Sequence, residues 1–388
     1  MPSLLRELNE RVVLDAVWGH QPVHRAELAR ITGLSKPTVS LSLDSLRSAG
    51  LVREIAKDLT RPGRAAGFFV AVADVGYVLA VDIGAHFVRG QLSDLSGATA
   101  SQVDLALKNT TLNTIIKTTS RAVSHLVESA DVQRSDIVTC VVGVPGIISS
   151  DSMTVIEAGA LRSIEGEGFA TRLSKELGLR VALDNDVNLM ALGEQAMGLG
   201  QGIENFATVS IGSGMGAGLV LSGQLYRGTH GGAGEIHLTP FREVAHTGVQ
   251  VDPASEGLEE VAARASRRRR GSSLSAPFDP VQVFAAARNG DLAALDVLES
   301  EARALSLYLG AISAVLDVEL IVLAGGIGSN AQLMLEGIRS NLAERLPYPP
   351  RVEISALGRG AVLAGAASVG LAKARDSLFV NRDVTDRA

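Results

Sequence analysis

YVLAVDIGAHFVRGQLSD, residues 77–94, runs apolar into Asp82-Ile83-Gly84, turns on the glycine and returns as a second strand. The pattern recurs down the chain. TLNTIIKTTSRAVSHLVESA (111–130) reads as an amphipathic helix, and DIVTCVVGVPGII (136–148) as a buried strand ending in a Gly-Val-Pro-Gly turn. LRVALDNDVNLMALGEQAMG (179–198) is a strand running into a helix, with polar Asp184-Asn185-Asp186 at the junction. ENFATVSIGSGMGAGLVLSGQLYRG (204–228) reads as a hairpin with a glycine-rich loop, and VELIVLAGGIGSN (318–330) as a strand, glycine turn and helix start. Strands that end in glycine turns at helix starts are where α/β sheets gather ligands, because backbone N–H groups converge there.

Upstream of residue 77 the grammar is different. NERVVLDAVWGH (9–20) places Val12, Val13, Ala16 and Val17 at helical spacing as one apolar stripe. In HRAELARITGLSKPTVSLSLDSLRSAGLV (24–52) a short apolar helix meets a turn at Gly33, where a positive φ is cheap. Ser35 can cap the next helix, with Pro37 in its first turn, where no intrahelical N–H is lost. Val39, Leu43 and Leu46 would bury one side, leaving Ser35, Lys36, Thr38, Ser40 and Ser42 toward solvent or a major groove. After a strand at 51–55, Arg61-Pro62-Gly63-Arg64 resembles a wing tip holding two guanidiniums for phosphates or a narrow minor groove. A protein-interaction module is the plainer alternative. The order of turn, capped polar helix and basic wing favours double-stranded DNA.

With 388 residues, 46% hydrophobic and 20% charged, the chain is expected to fold into two or three domains and not to be disordered. No uncharged apolar run reaches about 18 residues, so no membrane span is expected. MPSLLRELNERVV carries acids and lacks the apolar segment of a secretory leader, and a cytoplasmic protein is expected. Cys140 is the single cysteine, which excludes an internal disulfide and a cysteine-rich zinc site. Residues 1–72 hold 10 Lys/Arg against 7 Asp/Glu, the remainder 26 against 35. A mildly basic head on an acidic body suits a chain that offers only its head to phosphates.

Six short motifs carry a resemblance: Asp82-Ile83-Gly84, Gly143-Val144-Pro145-Gly146, Asp184-Asn185-Asp186-Val187-Asn188, 211–218 (IGSGMGAG), Gly234-Glu235-Ile236-His237 and Gly325-Gly326-Ile327-Gly328. In this order and spacing the chain resembles the ROK family of repressors and sugar kinases. The resemblance implies an α/β chain: an N-terminal winged helix-turn-helix, then a two-lobed actin-like, sugar-kinase-like (ribonuclease H-like) fold. The expected division is 1–73 for the DNA-binding head, 76–196 plus 362–380 for a small lobe, and 197–361 for a large lobe carrying a dimerisation surface. By resemblance Asp186 is the position of the kinase base, Asn185 contacts a neighbouring hydroxyl, and Glu235, His237 and Glu259 complete the sugar contacts. The alternatives are a helix N-cap at Asp186 or Asp184 and a core or supporting role for His237. Asp82, Gly84, Gly212, Gly214, Gly216, Gly325 and Gly326 match the nucleotide edge.

Departures from the family decide between sensor and enzyme. The kinase loop Asp-x-Gly-Gly-Thr plus a basic residue reads here Asp82-Ile83-Gly84-Ala85-His86-Phe87. Phosphoryl transfer is almost wholly positioning and charge stabilisation, so a methyl and an imidazole in that cradle imply a vestigial site and no catalytic residue. The family's zinc site needs three cysteines that are absent, as is the glycine between Ile236 and His237, so neither metal nor cofactor is expected. The loop 267–270, four arginines, reads as a solvated surface. The expectation is a sugar-metabolism regulator, a repressor more often than an activator. It would bind an inverted-repeat operator as a homodimer or homotetramer and respond to a sugar or phosphosugar. An active sugar kinase with a DNA-binding head, and a sugar-independent DNA-binding protein, are the rivals.

Overall fold

A computed structural model describes residues 2–55, 67–149, 153–212, 214–238, 243–244, 250–251 and 258–380. The head contains helices Pro2–His20, Arg25–Thr32 and Lys36–Ser48 and an antiparallel sheet ordered Val23–His24, Phe68–Ala71, Val52–Ile55. Gly33 ends the second helix at φ +71°, and Ser35 caps the third, its Oγ accepting the Thr38 N–H at 3.2 Å. Two expectations are corrected. The first helix buries Val13, Leu14, Ala16 and Val17 while Val12 points outward. Ser42 faces the core, since it stands three residues after Val39 and four before Leu46, on one face with both. Leu41 beside it is 72% exposed. The expected wing arginines, Arg61 and Arg64, lie outside the described residues.

The body repeats one plan twice. The first sheet runs Val181–Asn185, Ile137–Val144, Tyr77–Ile83, Phe87–Asp94, Thr99–Ala106, three parallel strands followed by two antiparallel ones. The second runs Arg351–Ile354, Leu320–Ala324, Phe206–Ile211, Met215–Leu221, Gln224–Tyr226, with the same directions. Parallel strands are covered on both faces, which is why Tyr77–Ile83 and Leu320–Ala324 are buried along nearly their whole length.

One helix, Asp186–Met197, is wedged between the sheets. Leu189 packs with Ala80 and Val141 of the first, Ala191 with Phe206 and Val220 of the second. Gly218 permits this approach, because a Cβ there would stand 2.5 Å from the Val187 carbonyl. The C-terminal helix Ala361–Val380 lies along both this helix and the first sheet, and its end reaches the head. No helix among the described residues is long and apolar enough to cross a membrane.

Candidate functional site

The strand Val181–Asn185 delivers a polar triplet to the first turn of the wedged helix. Asn185 is the N-cap: its Oδ1 accepts the Asn188 N–H at 2.9 Å, and its Nδ2 donates to the Gly146 carbonyl at 2.9 Å. The capping role considered for Asp184 or Asp186 therefore falls to Asn185. The Gly-Val-Pro-Gly turn enters here, with Gly146 at φ +97°. A Cβ there would meet the Ile156 carbonyl at 2.6 Å.

Asp184 has a different partner. Arg227 clasps it with two parallel bonds of 2.6 Å, Nη1 to Oδ1 and Nη2 to Oδ2. Arg227 follows the last strand of the second sheet, so this pair joins the two sheets. Sequence reasoning missed it, and 43 residues separate the partners.

Asp186 is half-buried, its Oδ1 accepting the Val187 N–H at 2.8 Å. Burial lifts its carboxyl to about 6, opposed by that N–H and reinforced by the nearby Glu235. The facing wall is the segment 228–238. Gly234, at φ +93°, lies against the Ala217 carbonyl, where a Cβ would stand 1.8 Å away. This close seating brings Glu235 near Asp186. His237 Nδ1 is 3.2 Å from Glu235 Oε2 and its Nε2 is 4.0 Å from Glu157 Oε2. The histidine thus sits between two carboxylates. Glu235 is raised by burial, with His237 pulling it down and Glu157 pushing it up. Glu157, at φ +54°, was not anticipated. Glu259 is the second residue of helix Leu258–Arg268, and only its backbone is described.

Of the expected nucleotide edge, Gly212, Gly325 and Gly326 lie close together. The turns after Phe206–Ile211 and Leu320–Ala324 face each other, a Cβ on Gly212 lying 3.7 Å from the Gly326 N–H nitrogen. Gly325, at φ +80°, nestles against the Ile211 carbonyl. A Cβ on Gly214 or Gly326 would meet open space, and one on Gly216 would stand 3.4 Å from Val187 Cγ2. Asp82 lies at the end of Tyr77–Ile83, raised to about 7 by burial and by Asp186, against the pull of Arg89. Arg89 reaches Asp82 at 3.5 Å and Asp104 at 3.0 Å while its guanidinium stacks 3.5 Å from the centre of the Phe87 ring. That ring covers Gly84: a Cβ there would meet Phe87 Cζ at 2.4 Å. His86, expected to crowd the cradle, is exposed, and its carbonyl accepts the Leu107 N–H at 2.8 Å. Ala85 is half-buried. No group of three or more His, Cys, Asp or Glu among the described residues is arranged to hold a metal ion.

In the head, Ser35 and Lys36 are exposed at the start of the third helix, with Thr38 and Ser40 half-exposed. The Ser35 and Thr38 hydroxyls lie 2.8 Å apart, so the cap engages both. Leu41, the exposed apolar residue of this helix, escaped the sequence reading and suits contact with a thymine methyl.

A model described as ROK family matches residues 78–373. A second, bacterial regulatory protein of the arsR family, matches residues 21–54. The xylose repressor of Bacillus spizizenii is 25% identical over 377 residues, covering 95% of this chain and 96% of its own. Among solved structures, a ROK family transcriptional regulator described as a homolog of the E. coli MLC protein superposes with a TM-score of 0.75. It covers 97% of this chain and 98% of its own at 20% identity. A ROK family glucokinase from Streptomyces griseus, solved with glucose and AMPPNP, gives a TM-score of 0.63. It is 24% identical and covers 76% of this chain and 99% of its own.

Proposed function

The chain belongs to the ROK family, and from that premise we propose that it is a DNA-binding transcriptional repressor of sugar-metabolism genes whose kinase-like body binds a sugar effector. The observation that carries this reading is the split within the cleft. Asp186, Glu235 and His237, the residues proposed to meet hydroxyls, lie near one another, while Phe87 lies over Gly84 of the loop matched to the kinase phosphate loop.

The body acts as a sensor without turnover on this reading. By resemblance Asp186 matches the position of the kinase base, yet a carboxylate there serves equally well by accepting hydrogen bonds from two adjacent hydroxyls. Asn185 retains one amide hydrogen beyond its bond to Gly146. No cofactor enters the scheme. The proposed division is 1–73 for the head, 76–196 with 362–380 for one lobe, and 197–361 for the other. Two or four copies place recognition helices in successive major grooves of an inverted repeat. The xylose repressor name of the B. spizizenii relative makes D-xylose the first candidate to test.

The test is a mobility shift on the DNA upstream of the protein's own gene, titrated with a panel of pentoses, hexoses, N-acetylhexosamines and their phosphates. Release by one sugar class supports the reading. A coupled ATPase assay on the same panel addresses the kinase alternative. Sugar-dependent turnover abolished by Asp186→Asn would overturn the non-enzymatic assignment.

A further inference from the structure

A sugar can alter DNA binding only if its site is mechanically connected to the head. The C-terminal helix makes that connection. Its first half meets the wedged helix backbone to backbone: a Cβ on Gly365 would lie 1.8 Å from the Leu189 carbonyl, and one on Gly193 2.4 Å from the Ala361 carbonyl. With no side chain between them at the crossing, the two helices have no layer along which to slide. Val362, Leu363, Ala366 and Ala367 share a buried cluster with Leu189, Ala80 and Val141, and Gly370 lies against Val78.

The last turns of the same helix leave the sheet and grip the head. Arg375 donates to the Leu95 carbonyl from Nη2 at 2.8 Å and from Nε at 3.3 Å, and its guanidinium lies 4.8 Å from the centre of the Trp18 ring. Asp376 pairs with Arg11. Leu378 packs against Trp18 beside Val78 and Leu95 and also touches the head core. Trp18 and Arg11 belong to helix Pro2–His20, whose Val13, Leu14 and Val17 share a core with Val39, Leu43 and Leu46 of the recognition helix. Arg6 of that first helix also donates to Ser45 of the recognition helix at 3.1 Å.

We propose that the last turns of the C-terminal helix are the joint through which the sugar site controls the head, with Arg375 and Asp376 as positioning residues acting through Trp18 and Arg11. The joint transmits motion of the helix that begins at Asp186. This rests on the reading that a sugar occupies the Asp186 cleft.

Trp18 is the chain's single tryptophan, so its fluorescence reports on this joint alone. The experiment uses the full chain with D-xylose, D-glucose, N-acetyl-D-glucosamine and their phosphates, measuring sugar affinity by calorimetry, release from the upstream DNA, and Trp18 emission. A sugar that binds is expected to shift the emission or acrylamide quenching of Trp18. In Arg375→Gln its affinity should stay within about twofold, while the concentration needed for DNA release rises at least about tenfold. Arg11→Gln removes an exposed ion pair that folding does not need, and is expected to shift release the same way by about threefold. Unchanged Trp18 emission at saturating sugar would overturn the joint, as would release at the wild-type concentration in both variants. Calorimetric silence across the panel would instead remove the sugar reading, and the joint with it.

Discussion

An alanine at Gly365 would place its methyl carbon 1.8 Å from the Leu189 carbonyl oxygen, 2.7 Å from the carbonyl carbon and 3.0 Å from the Gly193 nitrogen. All three are backbone atoms, so no side chain can swing aside. In an open helix, glycine to alanine is favourable by about 1 kcal/mol. Gly310, in helix Leu292–Leu316, provides that comparison, because its added carbon meets only Leu342 Cδ2 at 3.6 Å. Overpacking of a rigid site costs about 1–3 kcal/mol and occasionally more. Here the helices must separate by more than an ångström, so a net loss of about 3 kcal/mol is expected for Gly365→Ala, against a gain of about 0.5–1 kcal/mol for Gly310→Ala. At about 2–4 °C per kcal/mol, Tm should fall by about 6–12 °C in the first variant and rise by about 1–4 °C in the second. Differential scanning calorimetry of both beside the wild type decides it. A Gly365→Ala protein melting at or above the wild-type temperature would refute the close crossing.

Arg227→Ala strands a buried Asp184 and should destabilise the chain by about 1–3 kcal/mol in urea denaturation, the exposed guanidinium moderating the loss. Arg227→Lys should recover only part of this, since an ammonium cannot make both bonds. Asp186, lifted to about 6, must be ionised to accept two hydroxyl bonds. Sugar affinity measured by calorimetry should therefore be constant above that pH and fall by up to about tenfold per unit below it. Asp186→Asn should bind weakly with a flat profile. Lys36→Ala should weaken DNA binding on all sequences and reduce the salt slope by about one. Leu41→Ala should relax preference at a single base step.

Much of this architecture was readable because the signals are local. Gly33, Ser35 and Pro37 act within one turn of themselves, and each glycine turn after a strand advertises its own conformation. The site was only partly readable. The residues proposed to face a ligand sit inside motifs, whereas the groups beside them arrive from far along the chain: Arg227 on Asp184, Glu157 on His237. A spacing rule cannot find a partner 43 residues away. The phosphate loop shows the same limit. The departure from the family loop pointed to Ala85 and His86 as the obstruction, but His86, in the bend between the two strands, is exposed, and it is the Phe87 ring that lies over Gly84. Helix phase explains the other errors. Val12 was read into the apolar stripe with its neighbour Val13 and Ser42 onto the polar face, while burial follows angular position around the axis, which put the serine inside and the valine out.

The Phe87 ring over Gly84 also has a bearing on how such a protein would keep time with its surroundings. On the proposed reading the body is a sensor without turnover that consumes no fuel and leaves its sugar chemically unaltered, so each occupied molecule would return to its empty form as soon as the sugar diffuses away. Its state then tracks the free concentration by mass action alone. The gene it governs would read the present supply of sugar, with no memory of how much had already been used.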